Sequence, residues 1–451
     1  MAKEEVIPKG SVKKEIKMSL FQAPRGMHDI LPPEAPLWMK IEEEAREIAE
    51  FYGFLRIETP LVEAAELFER GVGEETDIIE KEMYTLRTKG SGKLALRPEY
   101  TAAIMRSYLQ HGMHRLPQPQ RLYSFGPVFR HDRPQAGRYR QFYQFNLEIL
   151  GGDSDAIYDA QVMIAFYKLI EGLKIKPLII QINSIGCRIC RPNYRKKLVE
   201  HYRNEEICRD CERRLKVNPI RLLDCKKEVC QPAKAGVPNI FDSLCSPCRG
   251  HLKQVLEYLE EANLPYVLNH LLARGLDYYS RTVFEIFLEE AVPALPDRQA
   301  GGRQGNLALA GGGRYDYLAE ILGGRSTPAV GGAMGVQRII EILQASGTTI
   351  PLKTGKPKVF LVHIGNDAKK KSLSLMEELR RANISTSNAL GKDSLSAQLE
   401  AANKMGVPLA LILGQREVYE GSVIIRDMEN GVQEPIPMKN VVEEIKKRLR
   451  G

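Results

Sequence analysis

Apolar positions in LWMKIEEEAREIAEFYGF, residues 37–54, recur at helical spacing and stop at Gly53, where an extended run, LRIETPLVE, takes over. The pattern predicts a helix feeding a strand. Strand-like stretches follow at 83–88, 94–97, 121–130 and 139–150, with a helix near 100–110. LIIQINSIG at 178–186 and TVFEIFL at 282–288 have the same character, and PAVGGAMGVQRIIEIL at 328–343 reads as strand, glycine contact and helix. Strands without regular alternation with helices imply a mainly antiparallel sheet flanked by helices, an α+β fold. Beyond residue 357 the pattern changes. VFLVHIG, AKKKSLSLMEELRRAN, SLSAQLEAANKMG, LALILG, SVIIRDM and VVEEIKKRL alternate strand and helix, predicting a separate α/β domain.

The 451 residues exceed one comfortable core, so several domains are expected. The sequence predicts a charged extension over 1–20, a catalytic body over 21–185 and 266–345, an insertion over 186–265, a linker over 346–356 and the α/β domain over 357–451. No apolar run approaches a bilayer span and the N-terminus lacks an apolar signal centre, so a cytoplasmic protein without a membrane partner is expected.

Charge and cysteine change this picture at one place. The net charge is +8, and residues 186–250 hold 15 Lys/Arg against 8 Asp/Glu, an excess of seven, which leaves +1 for the rest. The same stretch holds all eight cysteines, in four close pairs: Cys187 and Cys190, Cys208 and Cys211, Cys225 and Cys230, Cys245 and Cys248. Such pairs suit two tetrahedral zinc sites, whose thiolates would bring the local charge to about +3. Four pairs join two by two in three ways, and spacing does not choose among them. Free thiols and, in a hyperthermophile, cytosolic disulfides are the alternatives.

Between two strand-like segments lies FRHDRPQAGRYRQF, residues 129–142. Arginines at the base of a hairpin are rigid clamps for phosphate, and a nearby aromatic ring can stack on a base, so a nucleotide triphosphate suits the stretch. A hairpin with surface salt bridges would carry the same residues. Three distant segments weigh against that alternative: LRPEYTAAIMR at 96–106, LLARGLDYYSRTVFE at 271–285 and GGGRYDYLAEILGG at 311–324. Each joins glycine or proline geometry to charged or tyrosyl side chains.

From Phe21 to its end the chain resembles bacterial-type histidyl-tRNA synthetases, which are class II aminoacyl-tRNA synthetases. PRGMHDILP and GFLRIETPLVE resemble the first signature, at the dimer interface; GPVFRHDRPQAGRYRQF resembles the second and PAVGGAMGVQRI the third. ARGLDYYSRTVFE and GGGRYD match the peptides that mark the histidine branch. The resemblance implies ATP-dependent activation of L-histidine and its transfer to tRNA(His) by a homodimer, with Mg2+ on the triphosphate. It implies that Arg130 and Arg274 act on the α-phosphate from opposite sides. Arg338 and Phe142 should enclose the adenine, Arg138 should assist at the phosphates, and Asp132, in place of a frequent glutamate, should face the nucleotide. Glu148 and Tyr279 should read the imidazole, Glu99, Thr101 and Gln144 the α-amino and carboxylate groups, with Tyr278 on the wall. Tyr100, counted with the histidine pocket, and Asn146 stand where glycine is common. The insertion takes the place of the segment that approaches the acceptor stem, where its positive charge suits the RNA backbone, and 357–451 resembles the anticodon-binding domain. A non-catalytic, histidine-sensing regulatory paralogue is the alternative, though such proteins usually lack the anticodon domain. Synthetases for proline, threonine or glycine are disfavoured by the RGLDYY and GGGRYD peptides.

Overall fold

The computed structural model describes residues 21–449 apart from 74–75, 88, 91, 136, 290–307, 348–356 and 392–393. The glycine- and glutamine-rich loop at 297–306 and most of the linker thus lie outside the described residues. The chain divides into two compact units, 1–351 and 352–451.

The first unit is built on an eight-stranded sheet. In chain order its early elements are α1 (Ala35–Phe51), β1 (Leu55–Arg56), β2 (Val62–Ala64), α2 (Ala65–Val72), β3 (Thr85–Arg87), β4 (Lys93–Leu96), α3 (Thr101–Gln110), β5 (Gln120–Phe129) and β6 (Gln141–Leu150). There follow α4 (Ala156–Gly172), β7 (Leu178–Ser184), α5 (Arg191–Tyr202), α6 (Arg209–Val217), α7 (Ser246–Glu261) and β8 (Tyr266–Leu268). The unit closes with β9 (Ser280–Leu288), β10 (Ala310–Arg314), α8 (Leu318–Ile321), β11 (Ala329–Gly335) and α9 (Val336–Ser346). The sheet runs β1-β5-β6-β11-β10-β9-β7-β8. Its six central strands are antiparallel and the outer pairs β1/β5 and β7/β8 are parallel, as the absence of β-α-β alternation predicts. The expected single run at 55–63 is instead two strands, because β2 leaves to join β4 and β3 in a small sheet of its own.

β6 shows how the sheet separates core from site. In QFYQFNLEIL the odd positions Phe145, Leu147 and Ile149 are buried apolar residues, and Phe145 meets Phe166 of α4 edge to face at 5.8 Å. Tyr143 meets Trp38 of α1 in the same way. The even positions, Phe142, Gln144, Asn146 and Glu148, therefore line the opposite face. Helices α1 and α4 cover the odd face, whereas the N-terminus of α3 reaches the even one, where Thr101 bonds Glu148.

The helix α4 has no counterpart in the periodicity reading. Ten of its residues are buried, and it contacts β6, β9, β10, β11, α1 and α7. A helix covered on most sides is apolar on most sides and shows no amphipathic period.

The insertion contains α5, α6, α7 and several 3-10 turns, without a strand among its described residues from 186 to 265. Tyr194, Leu198, Tyr202 and Val255 are fully or almost fully buried and continue the core of the body.

The second unit is a five-stranded sheet, β12 (Val359–His363), β13 (Thr386–Asn388), β14 (Leu409–Leu413), β15 (Ser422–Asp427) and β16 (Gln433–Pro437), in the order β13-β12-β14-β15-β16. Helices α10 (Asn366–Arg381), α11 (Leu395–Met405), α12 (Gln415–Glu420) and α13 (Val441–Arg448) accompany it. Its two cores, one around Leu361, Leu411 and Ile425 and the other around Phe360, Val362 and Ala410, lie on the two sides of β12 and β14.

Candidate active site and cysteine clusters

The open face of the large sheet is floored by glycine. A Cβ built on Gly311 of β10 would overlap the Arg274 guanidinium, and one on Gly331 of β11 would overlap the Glu148 carboxyl. The two side chains lie flat against backbone, which no larger residue would permit. The trough that results collects charged groups from five separate segments.

The loop before α3 supplies the first wall. Arg97 is fully buried, donating to the Thr59 carbonyl at 2.6 Å and the Pro127 carbonyl at 3.0 Å. The Pro98 carbonyl accepts from Arg130 Nε at 2.9 Å. Glu99 accepts from the backbone N–H groups of Thr101 and Ala102 at 2.6 and 2.8 Å, capping α3. Burial pushes the Glu99 carboxyl up, opposed by those bonds and by Arg130. Thr101 Oγ1 donates to Glu148 at 2.7 Å. Tyr100 turns to Arg97, which bonds its hydroxyl and lies 3.9 Å over its ring, and Gly126 leaves room for it. Tyr100 thus fills the base of this wall.

Glu148 is fully buried, between Thr101 and the hydroxyl of Tyr315, which also donates to it. Burial pushes its carboxyl up to about 8, although both hydrogen bonds favour the charged form. Tyr278 and Tyr279 stand 4.7 Å apart beside it, and Tyr278 meets Tyr315 at 5.6 Å. Gln144 Oε1 and Asn146 Nδ2, on the same face of β6, are buried without a hydrogen-bond partner. An acceptor and a donor are thereby left for a ligand.

Arginines make up the other end. Arg130 continues the hairpin, its backbone N–H bonded to the Arg140 carbonyl, and its guanidinium lies 5.3 Å over Phe142. Arg274 pairs with Glu285 and lies 5.9 Å over Tyr279. Arg138 pairs with Asp132 at 3.1 Å. Arg338 donates to the carbonyls of Gly137 and Ala308 at 3.2 and 2.6 Å. Burial lowers Arg130, opposed by Glu82 and Glu99, and Arg274 lowers it further. Arg338 is brought down to about 10 by burial first and then by Arg138 and Arg130. These arginines feel one another's charge, and the described acids only partly balance them.

The predicted set Arg130, Asp132, Arg138, Phe142, Gln144, Glu148, Arg274, Tyr278, Tyr279 and Arg338 thus gathers at one trough, with Glu99 and Thr101 at its edge. Sequence reading missed Tyr315 and Glu285, although both lie in the quoted peptides GGGRYD and RTVFE. It also missed the brace beneath them: Arg314, almost wholly buried, pairs with Asp159, and Asp159 bonds His251 at 3.2 Å.

The eight thiols form two groups, Cys187 with Cys190, Cys245 and Cys248, and Cys208 with Cys211, Cys225 and Cys230. Within each group all sulfurs lie within 4.8 Å of one another, so either could hold a metal ion. The order is nested: the first pair joins the last and the middle pairs join each other. For Cys187 burial would raise the thiol, and hydrogen bonds from backbone N–H groups and neighbouring thiols together bring it down to about 7; Cys208 behaves alike.

The sequence model of the histidyl-tRNA synthetase family matches residues 26–187 and 226–339. The chain belongs to the histidyl-tRNA synthetase family. An anticodon-binding domain model matches residues 358–448. A histidine–tRNA ligase of Dehalococcoides mccartyi, strain 195, is 44% identical over 432 residues, covering 95% of this chain and 100% of its own. One from Desulfitobacterium hafniense, strain DCB-2, is 41% identical, covering 95% and 99%. The structure of apo S. aureus histidyl-tRNA synthetase is 31% identical with a TM-score of 0.77, covering 95% and 100%. The fold is that of a class II synthetase, and this histidyl-tRNA synthetase family member is a histidine–tRNA ligase rather than the regulatory alternative.

Proposed function

We propose that the two ends of the trough divide the substrates between them. The imidazole of histidine enters between Glu148 and Tyr279, because an apolar pocket could not distinguish it from other rings. Glu99, Thr101 and Gln144 hold the α-amino and carboxylate ends, with Tyr278 as the wall. ATP lies along the arginines, its adenine between Phe142 and Arg338, with Asp132 and Arg138 at its edge. The histidine carboxylate attacks the α-phosphorus, a C–O–P bond forms and diphosphate leaves. Arg130 and Arg274, on opposite sides, quench the repulsion of two anions and the charge that grows at phosphorus. The 3′-terminal ribose hydroxyl of tRNA(His) then attacks the carbonyl and AMP leaves.

Mg2+ on the β- and γ-phosphates would neutralise the leaving group. Among the described residues Glu82 and Asp132 would hold it: Glu82, raised by burial, lies in the field of Arg130, Asp132 and Arg138. The cysteine clusters hold zinc. The domain boundaries expected from sequence are retained as proposals, with the insertion facing the acceptor stem and 357–451 the anticodon. A homodimer is proposed because Leu55, Leu61, Val62 and Leu86, in and beside the segment resembling the first signature, expose apolar surface. The cytoplasm is the proposed compartment; no described helix is long and apolar enough to cross a membrane.

The observation that carries the reading is that Arg130 lies in the field of Arg274, with Tyr278 acting on both, while Arg274 rests across Gly311 on the floor of the trough. ATP–pyrophosphate exchange against a panel of amino acids tests it. Exchange with histidine alone is expected; exchange with another amino acid, or with none, would sink it.

A further inference from the structure

We propose that the insertion carries two structural zinc ions in nested order, and that the outer one fixes Arg191, making this arginine a positioning residue for the histidine pocket. The proposal deepens the function given above and rests on Tyr279 being part of that pocket.

The metal follows from sulfur geometry. Cys187 Sγ lies 3.7 Å from Cys190 Sγ and from Cys245 Sγ, Cys190 Sγ lies 3.8 Å from Cys248 Sγ, and Cys208 Sγ lies 4.0 Å from Cys225 Sγ. Four sulfurs at about 2.3 Å from one zinc ion lie about 3.8 Å apart, whereas bonded sulfurs lie about 2.05 Å apart. All eight cysteines are free of disulfides. Backbone N–H groups point at the sulfurs, from Cys187 to Cys190 at 3.1 Å, from Ile189 to Cys187 at 3.4 Å and from Cys208 to Cys230 at 3.2 Å, as suits thiolate ligands rather than thiols. Cys190, Cys208 and Cys245 also stand at the N-caps of α5, α6 and α7. The described insertion contains no sheet, so a cross-link has work to do there.

The outer site adjoins the pocket. Arg191 follows Cys190 directly, and its guanidinium donates to the Gly186 carbonyl at 3.3 Å and to the Tyr279 carbonyl. Gly186 in turn accepts from the backbone N–H of Arg281 at 3.0 Å. On the other flank, Arg188 lies 3.8 Å over the Tyr317 ring and pairs with Glu320 at 2.6 Å. The turn that presents Cys187 and Cys190 is therefore fastened to both peptides that supply Tyr279 and Tyr315. A metal that sets this turn sets the backbone beneath the imidazole site.

Full-length protein from zinc-supplemented cells, purified without chelator, is expected to carry two equivalents of zinc by elemental mass spectrometry. Its thiols should resist iodoacetamide until a chelator is added. Fewer than two equivalents, two of iron instead, or an intact mass showing disulfides would overturn the metal assignment. Arg191→Met should keep both ions and raise the exchange KM for histidine about tenfold, the scale of one hydrogen bond from a charged group, with kcat and the KM for ATP nearly unchanged. Arg191→Lys should recover part of the loss. Two zinc ions with an unchanged histidine KM in Arg191→Met would overturn the coupling alone, and an unchanged KM in Tyr279→Ala would overturn the pocket reading instead. Cys190→Ser should lose one equivalent and share the KM defect; if it does not fold, Arg191→Met still decides.

Discussion

Glu148 lies across Gly331 of the neighbouring strand with no room for a methyl group between them. The pocket's acidic group therefore depends on a residue with no functional group of its own. Gly331→Ala should displace the carboxyl from Thr101 and Tyr315 and lower kcat/KM for histidine at least about 100-fold, roughly 3 kcal/mol of lost transition-state stabilisation. Exchange kinetics beside circular dichroism check this; a folded variant with near-normal kcat/KM would contradict it.

The raised carboxyl of Glu148 predicts a pH dependence. Between about 6.5, the ordinary imidazole value, and about 8, free Glu148 holds a proton and free imidazole does not, so the pair can share one. Below this window binding must release a proton, and above it binding must take one up. The pH profile of 1/KM for histidine should be flat within the window and fall on both sides. In Glu148→Gln the alkaline limb near 8 should vanish and affinity should drop throughout. For the unliganded protein the sign follows from the raised value: the stability linked to Glu148 is full below the ordinary glutamate pKa and is lost as pH rises towards 8.

Arg274 has one carboxylate partner among the described residues, Glu285, and both are partly exposed. Arg274→Ala should leave thermal unfolding within a few degrees of the parent while reducing histidine-dependent exchange by about 100-fold or more. Lysine should not restore it, since a point charge cannot replace a planar fork held over Tyr279. Exchange surviving in Arg274→Ala would remove this residue from the chemistry.

The brace formed by Arg314, Asp159 and His251 should behave in the opposite way, as a matter of stability. Its groups are nearly inaccessible, and Arg314 and His251 hold the Asp159 carboxyl well below the usual range despite burial. Asp159→Asn takes from the buried guanidinium its fully buried carboxylate and leaves it Asp316, Ser154 and the Asp155 carbonyl, and should cost about 3 kcal/mol in chemical denaturation. The contribution is present above the ordinary aspartate pKa and is lost as pH falls below it, so the parent should converge on the variant in acid.

Much of this site was legible because chemistry and period coincide. QFYQFNLEIL alternates apolar core residues with Phe142, Gln144, Asn146 and Glu148, so one strand reveals both its faces. Where burial is nearly complete the period disappears, which hid α4. Long-range choices were also hidden. Nothing in the spacing of CRIC, CRDC, CKKEVC and CSPC says that the first pair meets the last, because that depends on where α5 and α7 leave the body. Tyr315 stood in a quoted peptide, yet only the approach of β10 to β6 through β11 brings its hydroxyl to Glu148.

The meeting of Cys187 with Cys245 closes the stem of a long excursion of the chain. What lies between, from 191 to 244, is clasped at its neck and also moored along one flank, by Arg214 and Arg221 on Asp77 and by Asn218 on Asp277. A segment moored in this way can change its wording on the solvent side alone, because every alteration on the moored flank is felt at the neck and, through Arg191, at Tyr279.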